Sequence, residues 1–376
     1  MIDGLDNLLE GSGHLGLAEL RKRVEELLGG RTAKGRLSDV QNLQPRIARV
    51  YRLRVSIEGK TRSLVIKRLD PAIAQRNHLV MTRWLPAIGL KESGPSLLDA
   101  VAERNGRCVW HIYQDLGDWA LKASEPEPER VKVAVELIAR IHTRFAGHPL
   151  LPECRLHGGD LGIYFYTSSV CDAIRGLEAL RASEIKLSSE RLALRDRLLK
   201  RLRRLREEQP RRARALAELG GPDTLLHGDL WTTNAFVLPT GNGLQARLID
   251  WDHAALGPVS YDLSTFLLRF PESHRLWILD LYRQAVAQAG WKLPATRELN
   301  LLFETAEYAR FSNCLIWPAI ALVQDDSQWG FESLAEVERW FEALHPVLPE
   351  QRPRGVLRPL KAALSFRKSA PSRHDH

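Results

Sequence analysis

The stretch HGDLWTTNAFVLPTGNGLQARLIDWD, residues 227–252, restricts the fold of this chain more than any other. Two short β-type runs, AFVL (235–238) and LQARLID (244–250), flank PTGNG. Pro, Gly and Asn clustered between two such runs predict a tight turn joining antiparallel strands. A hairpin returns its last residue to its first, so Asn234 and Asp250 are expected side by side although sixteen positions separate them. An amide oxygen next to a carboxylate makes a hard, oxygen-only site that suits Mg2+, an ion that keeps some of its waters and draws further ligands from phosphates. Asp229, five residues before Asn234, is expected to overhang the same site as a carboxylate free to orient and deprotonate a hydroxyl.

Upstream of this hairpin the texture of the chain changes. Residues 17–28, LAELRKRVEELL, carry leucines and Val24 on one helical face and stop at Gly29-Gly30, which predicts a leading helix. From Ser38 to Leu69 the pattern is β-type: VYRLRVSIEGKTRSLVIKRL (50–69) is two strand-like runs around Glu58-Gly59, a hairpin signal. In the second run Leu64 and Ile66 face one way while Ser63, Val65 and Lys67 face the other, which sets a lysine on one face of a strand. A helix candidate (73–90) follows, then a short strand in RCVWHIYQDLG (107–117). Beyond Gly117 the reading is helical through 131–145, 172–219, 260–270, 274–290, 297–317 and 333–345, and the strand signals of this half lie just after HGDLWTTN. The expected architecture is α+β and two-lobed: a leader and helix (1–30), a small β-rich N-lobe (31–115), a larger, mostly helical C-lobe (116–348) and a basic tail (349–376).

Asp-x-x-x-x-Asn, a hairpin and then Asp resembles the kinase arrangement of catalytic base, metal-binding Asn and metal-binding Asp. With HGDLWTTN in place of HRD, IDWD in place of DFG and a strand lysine upstream, residues 35–345 resemble the aminoglycoside phosphotransferase and choline kinase-like superfamily, most strongly in 224–266. The resemblance implies a two-lobed, protein-kinase-like fold and transfer of phosphate from ATP, with Mg2+, to a hydroxyl of a small molecule. It implies that Asp229 is the catalytic base, that His227 braces its loop, that Asn234 and Asp250 hold Mg2+, and that Asp262 in SYDL supports the loop. Lys67 resembles the lysine that pairs with the α- and β-phosphates. Tyr113-Gln114-Asp115-Leu116 resembles the hinge along which adenine lies, so Gln114, Asp115 and Leu116 join Lys67 in the implied nucleotide site. The chain departs from the kinase pattern in two places. Between Lys67 and Leu90 the only acid before Leu90 is Asp70, and Asn77 or His78 stands where a kinase has its helix glutamate. Residues 40–53, VQNLQPRIARVYRL, contain no glycine for a phosphate loop. Lys67 would then be held by Asp250 or by the nucleotide itself. The alternative is a catalytically weak or inactive pseudokinase, a nucleotide-binding or interaction module.

Composition removes other classes. Four cysteines, Cys108, Cys154, Cys171 and Cys314, lack CxxC or metal-type spacing, and the amino terminus MIDGLDNLLEGSG lacks the basic and apolar regions of a secretory signal. These features lead us to expect a cytoplasmic protein that is not a membrane protein. The net charge of +8 invites nucleic acid as a partner, but much of the excess lies in 191–215, where Leu198, Leu202 and Leu205 recur at helical spacing. The basic residues there are read as the solvated face of an amphipathic helix. GSGHLG (11–16) matches a phosphate-loop pattern but follows no strand, and is read as a leader. HGGDLG (157–162) echoes HGDLWTTN but has Phe165 where the Asn should fall, and is read as a turn between helices. Asp252 is read as a polar residue ending a strand rather than a second metal ligand. Glu304, Glu307, Asp325 and Asp326 fit an acceptor pocket and a solvated surface equally well. Aminoglycosides, being polycations, favour an acidic pocket, and the basic balance of the chain gives no sign of one.

Overall fold

The structure, a computed structural model, describes residues 2–3, 15–28, 35–44, 49–182, 188–325 and 327–349. Gly29-Gly30, most of GSGHLG, Asp326 and the basic tail lie outside these. Six strands form one sheet: β1 (Ile2–Asp3), β2 (Gly35–Asn42), β3 (Val50–Ile57), β4 (Lys60–Leu69), β5 (Leu97–Ala102) and β6 (Val109–Gln114), in the order β1-β2-β3-β4-β6-β5. All neighbours are antiparallel except β1 and β2. The β3–β4 turn falls at Glu58-Gly59, both at positive φ (51° and 76°), as a two-residue hairpin turn requires. Helix α1 (Leu17–Leu28) lays Leu20, Val24 and Leu28 against Leu53, Val55, Ile66, Trp110 and Ile112 of the sheet, which completes the core of the smaller lobe.

Helix α2 (Pro71–Leu79) leaves β4 directly and runs on through a π-helical turn at Val80–Trp84. Trp84 and Leu85 bury in the same cluster as Val131, Ile138 and Phe145 of α3 (Pro128–Phe145). The rest of the larger lobe comprises α4 (Leu151–Gly158), α5 (Ile163–Ala182), α6 (Ser189–Leu219), α7 (Ser260–Arg269), α8 (Glu272–Ala287), α9 (Thr296–Asp325) and α10 (Trp329–Ala343). Two small antiparallel sheets sit among them: β7 (Thr224–Leu226) with β10 (Ala255–Gly257), and the hairpin of β8 (Ala235–Thr240) and β9 (Gly243–Leu248).

Strands β1, β5, β7 and β10 were not foreseen, β1 falling in the stretch read as a leader. β5, LLDAVA, alternates half-buried and exposed residues, a weak signal. β7 and β10 are three residues long and wholly buried, too short for periodicity to mark them. The basic run 191–215 falls within α6, with Leu198, Leu202 and Leu205 buried. Several of its arginines are engaged internally, Arg197 with Glu338 at 2.8 Å and Arg203 with Glu178 at 2.9 Å. HGGDLG lies at the join of α4 and α5, as a turn between helices. No helix among the described residues is long and apolar enough to cross a membrane.

Candidate active site

The hairpin sets the geometry. Ala235 pairs with Leu248, and the backbone amide of Ile249 donates to the carbonyl of Asn234 at 2.9 Å, so Asn234 and Asp250 leave the hairpin from adjacent ends. The side-chain amide nitrogen of Asn234 donates to the carbonyl oxygen of Asp229 at 2.9 Å. That bond fixes the orientation of the amide and leaves its oxygen, Oδ1, as an acceptor without a donor among the described residues. Asp250 adopts a left-handed conformation (φ 65°, ψ 57°). Asp and Asn tolerate this conformation better than other side chains, at a cost of about 1 kcal/mol.

Lys67 reaches this point from the opposite lobe. Its Nζ donates to Asp250 Oδ1 and, at 2.6 Å, to Asp252 Oδ1. Asn77 of α2 donates to the same Asp252 oxygen at 2.9 Å. Arg76 binds the backbone carbonyl of Asp252 and that of His157. Burial acts against the charge on Lys67, but the two carboxylates outweigh it and raise its pKa. Burial likewise raises both acids. Lys67 reverses the effect at Asp250, which ends below the usual aspartate range, while the Asp250 charge keeps Asp252 above it. Asp252 is thus more than the end of a strand: it joins strand lysine to helix α2. The spacing Asp-x-Asp held this signal, but spacing alone does not say which Asp faces the lysine.

The loop from His227 to Asn234 is braced from behind. Asp262, at the start of α7 and buried, accepts the backbone amides of His227 (2.7 Å) and Gly228 (2.9 Å) and His142 Nε2 (3.3 Å). Burial raises its carboxyl, but the His142 bond and the neighbouring histidines and amides outweigh that, so its pKa falls below the ordinary value. His227 Nε2 lies 2.8 Å from the Ile249 carbonyl, and its Nδ1 accepts the Asp229 amide at 3.3 Å. These partners call for the proton on Nε2. The ring also packs on Trp251 at 4.6 Å. Gly228 has φ +81°, and a Cβ there would run into the carbonyl of His253, so only glycine lets the loop lie on the turn that follows Asp250. Asp229 is partly buried, and no described residue hydrogen-bonds its carboxylate. Burial raises its pKa, with the Asp250 charge adding to the effect and His253 and Arg310 opposing it.

Gln114 ends β6, opposite Leu64 of β4, and Asp115 and Leu116 follow it. The Asp115 carboxylate is engaged locally, by Ser63 at 2.6 Å, the Gly117 amide at 2.9 Å and Arg52 at 3.0 Å. Of the acids noted in the helices, Glu307 is buried and taken up by Ser264 (2.7 Å) and Arg310. Two arginines without any sequence motif also stand near Asp229: Arg269 lies over the ring of Trp231 and Arg310 over that of Tyr261. A concave surface of about 1160 Å³ lies elsewhere, between α6 and its neighbours. Its charged lining includes Glu304 together with Arg201 and Glu342, and contains none of Lys67, Asp229, Asn234 or Asp250.

Residues 46–302 match the family model described as a phosphotransferase enzyme family. A spectinomycin phosphotransferase solved with ADP and spectinomycin is similar at a TM-score of 0.53 and 12% identity, over 88% of this chain and 95% of that one. That likeness shows a kinase-like fold. A Plasmodium vivax ethanolamine kinase (TM-score 0.49, 14% identity, 87% of this chain and 84% of that one) is also similar. So is a choline kinase from Streptococcus pneumoniae (TM-score 0.48, 12% identity, 87% and 99%). No curated protein matches the chain by sequence.

Proposed function

The chain belongs to the phosphotransferase enzyme family, and we propose that it moves the γ-phosphate of ATP to a hydroxyl of a small molecule. The observation that supports this best is the meeting of Lys67, from the smaller lobe, with Asp250 beside Asn234 and the loop of Asp229. In this reading Asp229 takes the proton of the acceptor hydroxyl as its oxygen bonds to the γ-phosphorus. The bond from that phosphorus to the bridging oxygen breaks, and ADP leaves. The ADP bound to the spectinomycin phosphotransferase supports an adenine nucleotide here.

The donor set fits Mg2+. Asp250 supplies a carboxylate with a depressed pKa and Asn234 a free amide oxygen, both hard ligands, and a site completed by phosphate oxygens and water needs few protein groups. When bound, the ion neutralises charge on the transferred phosphate. Lys67 adds a cation held in place by two acids, and positioning with charge neutralisation accounts for most of the rate in phosphoryl transfer. Gln114, Asp115 and Leu116 are assigned to the adenine side, where Asp115 stiffens the segment and backbone groups meet the base. The protein is expected in the cytoplasm.

A panel of hydroxyl acceptors with ATP and Mg2+, run beside Asp229→Asn, tests the reading. Transfer that survives this substitution would remove it. One observation favours a second reading, a nucleotide-binding module without transfer: Asn77, not a carboxylate, faces the lysine network from α2. It would show as stabilisation by ATP with Mg2+ and no product from any acceptor.

A further inference from the structure

Resting on the kinase reading above, we propose that the acceptor carries an anionic group, carboxylate or phosphate, which Arg269 binds beside Asp229. Arg269 ends α7, with its Cζ 4.1 Å from the centroid of the Trp231 ring, and Trp231 follows Asp229 by two residues. Its guanidinium makes no hydrogen bond or ion pair among the described residues, and its Nε is sealed from solvent without a partner. A guanidinium offers five donors and loses water on burial, so a partly buried one facing no acceptor is a site made for an anion. The neighbouring charges do not fill that role. Glu307 is already engaged by Arg310 and Ser264. Asp229 attracts Arg269 through space without bonding it.

The same arrangement disfavours a cationic acceptor. A polyamine seeks carboxylates and open aromatic faces. Here one face of Trp231 is stacked by Arg269 and one face of the buried Tyr261 by Arg310, at 4.3 Å, so a cation there would meet a guanidinium of like charge. The buried carboxylate between them, Glu307, is spent. An anion held by Arg269 would instead bring a hydroxyl a few atoms away within reach of Asp229.

Calorimetric titration tests this, using glycerate, ribose 5-phosphate, glycerol and glucosamine, each with and without a non-hydrolysable ATP analogue and Mg2+. At least one of the two anions should bind about tenfold or more tightly than glycerol and glucosamine, which is the scale of one charge-assisted hydrogen bond. Arg269→Leu should abolish that advantage and Arg269→Lys should keep part of it. Glycerate against ribose 5-phosphate separates carboxylate from phosphate. Equal or tighter binding of glycerol or glucosamine, no binding by either anion, or an advantage intact in Arg269→Leu would overturn the proposal. Failure of the ATP analogue to bind would instead sink the kinase reading, while the anion preference is still decided in the titrations without it.

Discussion

Asp229 is held where its charge is costly, since burial raises its pKa and the Asp250 charge adds to the effect. The native state therefore binds a proton more readily than the unfolded chain, and stability falls as pH rises from the unfolded carboxylate pKa through the raised native one. If Asp229 is the base, as proposed, it must be unprotonated to act, and the charge that destabilises the fold is then the one the reaction needs. Asp229→Asn should accordingly lower phosphoryl transfer by about 10²–10⁴-fold, the usual worth of a general base. It should also raise Tm at pH 7, an advantage that shrinks as pH falls toward 4. Activity of the native enzyme should drop on its acid side above the ordinary aspartate range. Melting curves and initial rates over a pH series check both, and an Asn variant less stable at pH 7 would contradict the assignment of cost. Asp262 carries the opposite sign. Its depressed pKa gives stability that is present above the unfolded carboxylate pKa and lost as pH falls through the native one. Asp262→Asn would place an amide NH2 against the backbone N–H of His227 or Gly228, and the loss should be about 2–4 kcal/mol at pH 7 with a flatter acid limb. Urea unfolding at pH 7 and pH 4 reads this directly.

At the scale of elements, the loop that carries Asp229 is defined by what lies against it. Its front is the β8–β9 hairpin, and its back is α7 through Asp262 and the turn Trp251–His253 through Gly228. Gly228→Ala must leave a conformation that L side chains rarely adopt and must displace the His253 carbonyl at the same time. We expect a loss of about 2 kcal/mol or more and, because the shifted loop carries Asp229, a fall in kcat larger than any change in nucleotide affinity. A variant with wild-type kcat would mean that the loop can relax without moving Asp229. These dependencies also mark how far the sequence could be read. The hairpin was legible because its turn residues and alternating apolar runs are local, and its closure forced Asn234 and Asp250 together. Lys67 was legible from strand alternation. β7 and β10 were not, because three buried residues carry no period. Arg269 and Arg310 were not legible as site residues either, since their neighbours are brought in by helix packing that no spacing records, and Asp252 was legible only through its spacing, which does not show that Lys67 of β4 reaches it.

For the whole molecule, part of the join between the lobes runs through charged side chains of the candidate site, beside the apolar packing of Trp84 and Leu85. Lys67 of β4 meets Asp250 and Asp252 of the larger lobe, and Asn77 and Arg76 of α2 bind Asp252 as well. A nucleotide with Mg2+, bound as proposed, would contact both sides of this join, and a ligand that binds only the native state stabilises it. At a hundred times Kd the gain is about 2.7 kcal/mol, a rise in Tm of a few degrees for a chain of this size. Lys67→Met should show two distinct effects in thermal melts with and without the ATP analogue. Without ligand, Tm should fall, because two largely buried carboxylates are left side by side without their cation. With ligand, the further rise should shrink, because the lysine that faces the phosphates is gone. A full-sized nucleotide shift in Lys67→Met would place the phosphates away from β4 and leave the lysine only its structural task between Asp250 and Asp252.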